Sequence, residues 1–187
     1  MKNKEKESIY SPSEDTFLLI NTIKQYNTNK ALEIGIGSGL VITDLEINNK
    51  FVVGVDINFV AIKELMQSNI THSIDLMKNL ICCDSASPFR NNVFDLIVFN
   101  PPYLPSNKIT DRTIDGGYSG IEITKAWFKS ASKCLKEDGR IVFLSSSICD
   151  IKCLFNYIKK LGFEVNILNK KHLFFEELLI IEARPIH

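Results

Sequence analysis

The stretch "KALEIGIGSGL", Lys30 to Leu40, sets the architecture. Lys30 to Ile36 is predicted as a strand. Gly35, Gly37 and Gly39 then let the backbone turn sharply and approach a ligand without side chains in the way. Four more short apolar runs follow: "FVVGVDI" (Phe51 to Ile57), "NLICCD" (Asn79 to Asp84), "FDLIVFN" (Phe94 to Asn100) and "GRIVFLSS" (Gly139 to Ser146). Near-continuous apolar runs suit parallel strands covered on both faces. Between them, a 3.6-residue period predicts helices over Asn58 to Asn69, Ile121 to Leu135 and Ile151 to Leu161, the last two stopped by Gly139 and Gly162. Ahead of the first strand, "SPSEDTFLLINTIKQY" reads as a helix, with Glu14 and Asp15 where the helix dipole favours negative charge. The tail predicts two more strands, near Phe163 to Leu168 and Glu177 to Ala183, paired antiparallel through Asn169 to His172. The sum is an α/β fold: a doubly wound, mostly parallel sheet of seven strands closed by an antiparallel hairpin, with ligands at the carboxyl ends of the strands.

Composition narrows the function classes. The chain has 187 residues, of which 45% are hydrophobic and 24% charged, ordinary values for a globular domain. Lys plus Arg equals Asp plus Glu at 22 each, so no global field draws the chain to nucleic acid. Lys159, Lys160, Lys170 and Lys171 read as solvated lysines near element ends. No apolar run reaches the roughly 20 residues of a membrane span. The charged start "MKNKEKES" lacks the apolar core of a signal peptide. Residues 1–9 are expected to be a disordered lead-in, and residues 10–187 a single domain. Five scattered cysteines form no Cys-x-x-Cys pair, which argues against disulfides and zinc and for a reducing cytoplasmic compartment. Cys82 and Cys83 sit in an apolar run and are expected to be buried. His72, His172 and His187 show no metal-ligand spacing, and Ser145 to Ser147 read as a polar strand end.

The residues at the predicted strand ends carry the chemistry. A dinucleotide fingerprint would place Gly or Ala three residues after Gly37, where Leu40 stands. Glu33, inside the end of the first strand, fits poorly beside a pyrophosphate and well beside a cation. Asp56 ends the second strand, where an acid can accept both hydrogen bonds of a ribose diol. Asp84 ends the third, where a carboxylate can accept from an adenine amino group. S-adenosylmethionine unites those features: an ammonium, a sulfonium, a ribose and an adenine. Either acid taken alone could equally be a helix N-cap.

After the fourth strand comes Asn100-Pro101-Pro102-Tyr103. Proline fixes φ and removes an N–H, and the residue before it is pushed to an extended conformation. The Asn100 side-chain carbonyl and the main-chain carbonyl of Pro101 or Pro102 would be two converging acceptors, matched to the two N–H bonds of a planar –NH₂ group. Tyr103 would lie against its flat face. Such a grip polarises a weakly nucleophilic nitrogen and aims it at a methyl donor, with no dedicated general base.

These motifs resemble class I S-adenosylmethionine-dependent methyltransferases acting on exocyclic or amide –NH₂ groups. "YSPSEDTFLL" (Tyr10 to Leu19) and "DGGYSGIEI" (Asp115 to Ile123) are similar to stretches of the HemK-like protein glutamine methyltransferases of archaea and eukaryotes. The resemblance implies a Rossmann-like fold and methylation of the glutamine side-chain amide in the Gly-Gly-Gln motif of class I translation termination factors. It implies cofactor contacts at Thr16, Glu33, Gly35, Gly37, Gly39, Asp56, Ile57, Asp84, Ser85 and Asn100, and a substrate grip by Asn100, Pro101, Pro102 and Tyr103. It also implies a small zinc-binding activator subunit in a heterodimer, which the exposed sheet edge near "NLICCD" would receive. The bacterial members' helical N-terminal domain has no room in this chain. Adenine-N6 methylation of RNA or DNA uses the same grip, but usually with extra surface for base flipping. A third alternative is an inactive S-adenosylmethionine-binding assembly module, against which the intact Asn100 to Tyr103 motif argues.

Overall fold

The computed structural model describes residues 9–68, 74–108 and 110–186. Of the lead-in expected over residues 1–9, residues 1–8 lie outside the described residues, as do Asn69, His72 and His187, while Ile9 is half-buried against the core. Helix α1 (Glu14–Ile23) precedes β1 (Lys30–Ile34), α2 (Leu40–Asn48), β2 (Phe51–Asp56), α3 (Phe59–Gln67), α4 (Ile74–Lys78) and β3 (Leu80–Cys82). Then come β4 (Phe94–Phe99), β5 (Leu104–Pro105), β6 (Asp115–Gly117), α5 (Glu122–Cys134), β7 (Leu135–Ser146), α6 (Ile151–Lys160), β8 (Phe163–His172) and β9 (Glu177–Pro185).

Seven strands form one sheet in the order β3-β2-β1-β4-β7-β9-β8. The first five are parallel to one another; β9 runs antiparallel to β7 and to β8. Side chains alternate between two cores. Phe99, Phe143 and Ile181 face α5 and α6, whereas Val98, Val142 and Ile180 face α1, α2 and α3. The first core is held by rings: Phe99 stacks on Phe143 at 5.1 Å, and Phe128 meets Phe143 and Phe163 edge-on. The strand order reverses between β1 and β4, which opens a crevice at their carboxyl ends. The glycine turn follows β1 and Asn-Pro-Pro-Tyr follows β4, so both motifs line that crevice.

Several expectations are corrected. The hairpin does not turn at Asn169 to His172. Strand β8 continues to His172, because Asn169 Nδ2 donates to Thr22 Oγ1 at 3.1 Å and Lys171 pairs with Glu14, both on α1. A bulge between Ile167 and Asn169 absorbs the register change. The turn is Leu173 to Glu176, closed by the Leu173 N–H on the Glu176 carbonyl at 2.8 Å. Strand β7 starts at Leu135 rather than Gly139, since Leu135 pairs with Phe94 before a register shift. Cys82 is exposed and Cys83 half-buried, because β3 is a three-residue edge strand. Lys170 and Lys171 lie near the end of β8 with their side chains open to solvent, as expected, and also pair with Glu177 and Glu14. Helices α2 and α4 and the small β5–β6 sheet were not predicted. No helix among the described residues is long and apolar enough to cross a membrane.

Candidate active site

The glycine turn is pinned by hydrogen bonds that leave its N–H groups ordered. Gly35 N–H donates to the Val55 carbonyl at 2.8 Å, and Gly37 N–H to Asp56 Oδ2 at 3.0 Å. Gly35 has φ of 74°, and a Cβ there would overlap the Trp127 indole, which α5 lays against the turn. Gly37 has φ of 48°, with open space where a Cβ would point. Gly39, φ 82°, caps α2 and abuts Leu65.

Three acids surround this turn, each in a different state. Glu33 is only 2% exposed, and its Oε2 has no hydrogen-bond partner. Burial, then the charge of Asp56, pushes its carboxyl well above the usual range. A backbone hydrogen bond from Ile42 opposes that rise, and the one oxygen left without a partner is costly alone and well suited to a cation. Asp56 is half-buried; its Oδ1 accepts from Asn58 N–H at 2.8 Å while Oδ2 holds Gly37. Burial raises its pKa, and those two N–H bonds oppose the rise. Asp84 lies two residues beyond β3, exposed, and receives the Ser85 hydroxyl at 2.8 Å. Ser85 adopts φ of 51°, unusual for a residue with a side chain and a mark of a constrained turn. Ile57, which follows Asp56, is 59% exposed.

Across the crevice, Asn100 donates from Nδ2 to Asp15 Oδ2 at 3.0 Å. Its Oδ1 is buried and has no partner. Pro101 is buried, Pro102 and Tyr103 half-buried. Burial first, then the charges of Asp15 and Glu176, holds the Tyr103 phenol above its ordinary value, so it stays protonated and is no base. The loop is clamped from behind. A Cβ on Gly116 would come within 2.7 Å of the Pro102 carbonyl, and one on Gly120 would overlap the Tyr103 carbonyl. That same Tyr103 carbonyl accepts from Cys149 Sγ at 3.1 Å. Strands β5 and β6 pair through Leu104 N–H on the Ile114 carbonyl at 2.9 Å. The "DGGYSGIEI" stretch is thus the back wall of Asn-Pro-Pro-Tyr. Glu122 accepts from the Ser119 hydroxyl at 2.6 Å at the head of α5, which fixes the far end of that wall.

Thr16 is buried beside Asp15, its hydroxyl 3.3 Å from Asp15 Oδ1. Thr16 thus adjoins the Asp15 that bonds Asn100; Glu33 and Asp56 adjoin the glycine turn; Asp84 and Ser85 follow the edge strand β3. Sequence reasoning missed Asp15 as a partner of Asn100, Trp127 over Gly35, and the Cys149 contact. All three are side-chain contacts between segments remote in the chain, and no local spacing encodes them.

A buried acid with one unpartnered oxygen and a buried amide oxygen without a partner thus stand at the ends of the adjacent strands β1 and β4. Residues 8–174 match the methyltransferase small domain family. The chain belongs to that family. A Methanocaldococcus jannaschii protein named as a candidate protein N5-glutamine methyltransferase is 34% identical over 94% of this methyltransferase and 91% of its own length. The release factor glutamine methyltransferase of Aquifex aeolicus is 27% identical, over 96% of this chain and 69% of its own. Among solved structures, the Mtq2–Trm112 complex of E. cuniculi, described as responsible for methylating the eRF1 termination factor, superposes with a TM-score of 0.78 at 24% identity. That match covers 95% of this methyltransferase and 98% of the other chain, and it establishes the fold.

Proposed function

We propose that this methyltransferase moves a methyl group from S-adenosylmethionine to the side-chain amide nitrogen of the glutamine in the Gly-Gly-Gln motif of a class I translation termination factor. The observation that carries the proposal is the buried, unpartnered Asn100 Oδ1 at the end of β4. An acceptor held dry and unused awaits an N–H donor. The Pro102 carbonyl faces Gly116 and the Tyr103 carbonyl holds Cys149, which leaves the Pro101 carbonyl as the second acceptor.

The crevice residues fit the methyl donor. Glu33, with its unpaired Oε2, would hold the ammonium; Asp56 the ribose; Asp84, with Ser85 and Ile57 beside it, the adenine. Gly35, Gly37 and Gly39 would give close backbone approach, and Thr16, beside Asp15, would complete the cofactor contacts. When bound, S-adenosylmethionine supplies an electrophilic methyl on a sulfonium. Asn100 and Pro101 take the two N–H bonds of the incoming amide and draw electron density onto its nitrogen. Tyr103, a neutral phenol, backs the amide plane and excludes water. The nitrogen would gain the methyl carbon as the carbon–sulfur bond breaks and S-adenosylhomocysteine leaves as a neutral thioether. The methylated nitrogen would lose one proton, which reaches solvent as the products depart. Most of the acceleration is positioning and electrostatics, so no side chain needs to act as a base.

The relatives named for glutamine methylation support the substrate. We also propose a small zinc-binding activator subunit on the free edge of β3, where Ile81 and Cys82 are exposed; Mtq2 was solved with Trm112. The test is transfer of labelled methyl to a recombinant termination factor, alone and with the activator. Labelling lost when the Gly-Gly-Gln glutamine is replaced supports the proposal. Labelling of RNA or DNA oligonucleotides instead would assign adenine as the target.

A further inference from the structure

Asp15 reads from the sequence as one of two acids at the head of a helix. The structure gives it a different set of contacts. It is only 3% exposed, and its carboxylate gathers donors from three segments. Oδ1 accepts the Thr16 N–H at 2.6 Å. Oδ2 accepts the Tyr10 hydroxyl at 2.8 Å and Asn100 Nδ2 at 3.0 Å. Helix α1 is thereby joined to the end of β4, 85 residues away in the chain.

An asparagine amide can sit either way round, with its donor and acceptor exchanged. A carboxylate accepts and never donates when ionised, so only the –NH₂ end of Asn100 can face Asp15. The carbonyl end must then point away from Asp15, and its Oδ1 is buried without a partner. We propose that Asp15 is a positioning residue that fixes the amide orientation of Asn100, and so decides that the site accepts a substrate –NH₂ rather than donating to a substrate carbonyl. The proposal rests on the proposed transfer to an amide nitrogen. A charge-assisted bond to Nδ2 also polarises the Asn100 amide and makes Oδ1 a better acceptor.

The substitution Asp15→Asn is nearly isosteric and cannot meet all three donors. With its oxygen toward Asn100, its –NH₂ confronts the Thr16 N–H. With its oxygen toward Thr16, its –NH₂ confronts Asn100, which then flips and presents a donor to the substrate. Turnover is expected to fall by about 10–100-fold, the usual scale for losing one charge-assisted hydrogen bond, with cofactor affinity within about threefold of wild type. Asn100→Asp alone places two carboxylates against each other and is expected to be as impaired. In the double variant Asp15→Asn with Asn100→Asp, residue 15 donates to a carboxylate whose other oxygen faces the substrate. It is expected to turn over faster than either single variant. A helix-capping or merely structural role for Asp15 would produce no such recovery, so a double variant no faster than the singles overturns the proposal.

A second measurement needs no substrate. The Asn100 side-chain amide protons, identified by NMR from their loss in Asn100→Ala, are expected to exchange slowly in wild type and quickly in Asp15→Asn. Equal exchange in both would overturn the proposal. If wild type labels no termination factor yet the exchange difference appears, the substrate assignment has failed and the Asp15 positioning stands.

Discussion

Glu33 shows how a single residue can be built for a ligand at the expense of the free fold. Its carboxyl is raised by burial first and by the Asp56 charge second, so the native state holds its proton more tightly than the unfolded chain does. The stability it contributes is therefore present below the ordinary carboxylate value of 4.5 and is lost as pH rises through the folded value. Glu33→Gln cannot ionise. Its melting temperature is expected to match wild type at acid pH and to exceed it increasingly as pH rises above the ordinary carboxylate value, measured by thermal denaturation. The same variant should bind S-adenosylmethionine more weakly, because a buried amide cannot pair with an ammonium. Calorimetry in two buffers of different ionisation enthalpy should show proton release on binding by wild type and less by the variant. Asn100 predicts the opposite pattern. Asn100→Ala removes one of two acceptors for the substrate amide and should lower kcat by about 10²–10³-fold, the range seen when one oriented transition-state partner is deleted. Its cofactor affinity should stay within several-fold of wild type, as read by equilibrium binding.

The loop–β5–β6 unit holds Asn-Pro-Pro-Tyr by backbone contact, and its glycines separate strain from function. Gly120 and Gly162 both have positive φ, 73° and 85°. A Cβ at Gly162 meets nothing within 4 Å, whereas at Gly120 it would overlap the Tyr103 carbonyl. Gly162→Ala should cost about 1–2 kcal/mol of stability, the left-handed backbone penalty alone, and leave kcat unchanged. Gly120→Ala should cost more than that and also lower kcat, because the Tyr103 backbone must move. Urea denaturation and initial rates on the two variants check this; equal kcat in both would mean the back wall does not position the loop. Elements of this kind also mark the limit of what could be read from the sequence. The five parallel strands were legible because each is an apolar run between glycine, asparagine or acidic punctuation. The hairpin turn was misplaced because Asn169 and Lys171 look like turn residues, yet they bond across to Thr22 and Glu14 on α1. The strand-end acids were legible as positions. Their differing states were not: Glu33 is buried with one oxygen unpartnered, while Asp84 is exposed, and that depends on which strand is central and which is an edge.

At the scale of the whole molecule, the sheet is asymmetric in how its two edges are protected. The β8 edge follows a ten-residue strand whose polar side chains engage α1, and α6 packs nearby. The β3 edge is three residues long, and Ile81 and Cys82 are exposed along it. Exposed apolar edges template pairing with another chain, and natural proteins usually shield them with charge, proline or a covering element. None of Leu80, Ile81 and Cys82 is charged or proline. A covering subunit on this edge would serve that purpose, and the proposed activator is its occupant. The thiols provide the readout, since Cys82 and Cys153 are both exposed while Cys134 and Cys149 are buried. Cys153 lies on α6, away from the β3 edge, so it serves as the internal control. In the isolated chain, iodoacetamide should modify Cys82 and Cys153 rapidly and Cys134 and Cys149 slowly, as followed by peptide mass spectrometry. When the activator subunit is added, modification of Cys82 should slow by about tenfold or more while that of Cys153 stays unchanged, because only a buried edge loses access to the reagent. Undiminished Cys82 modification in a complex shown by sizing to be intact would move the activator to another face of the molecule.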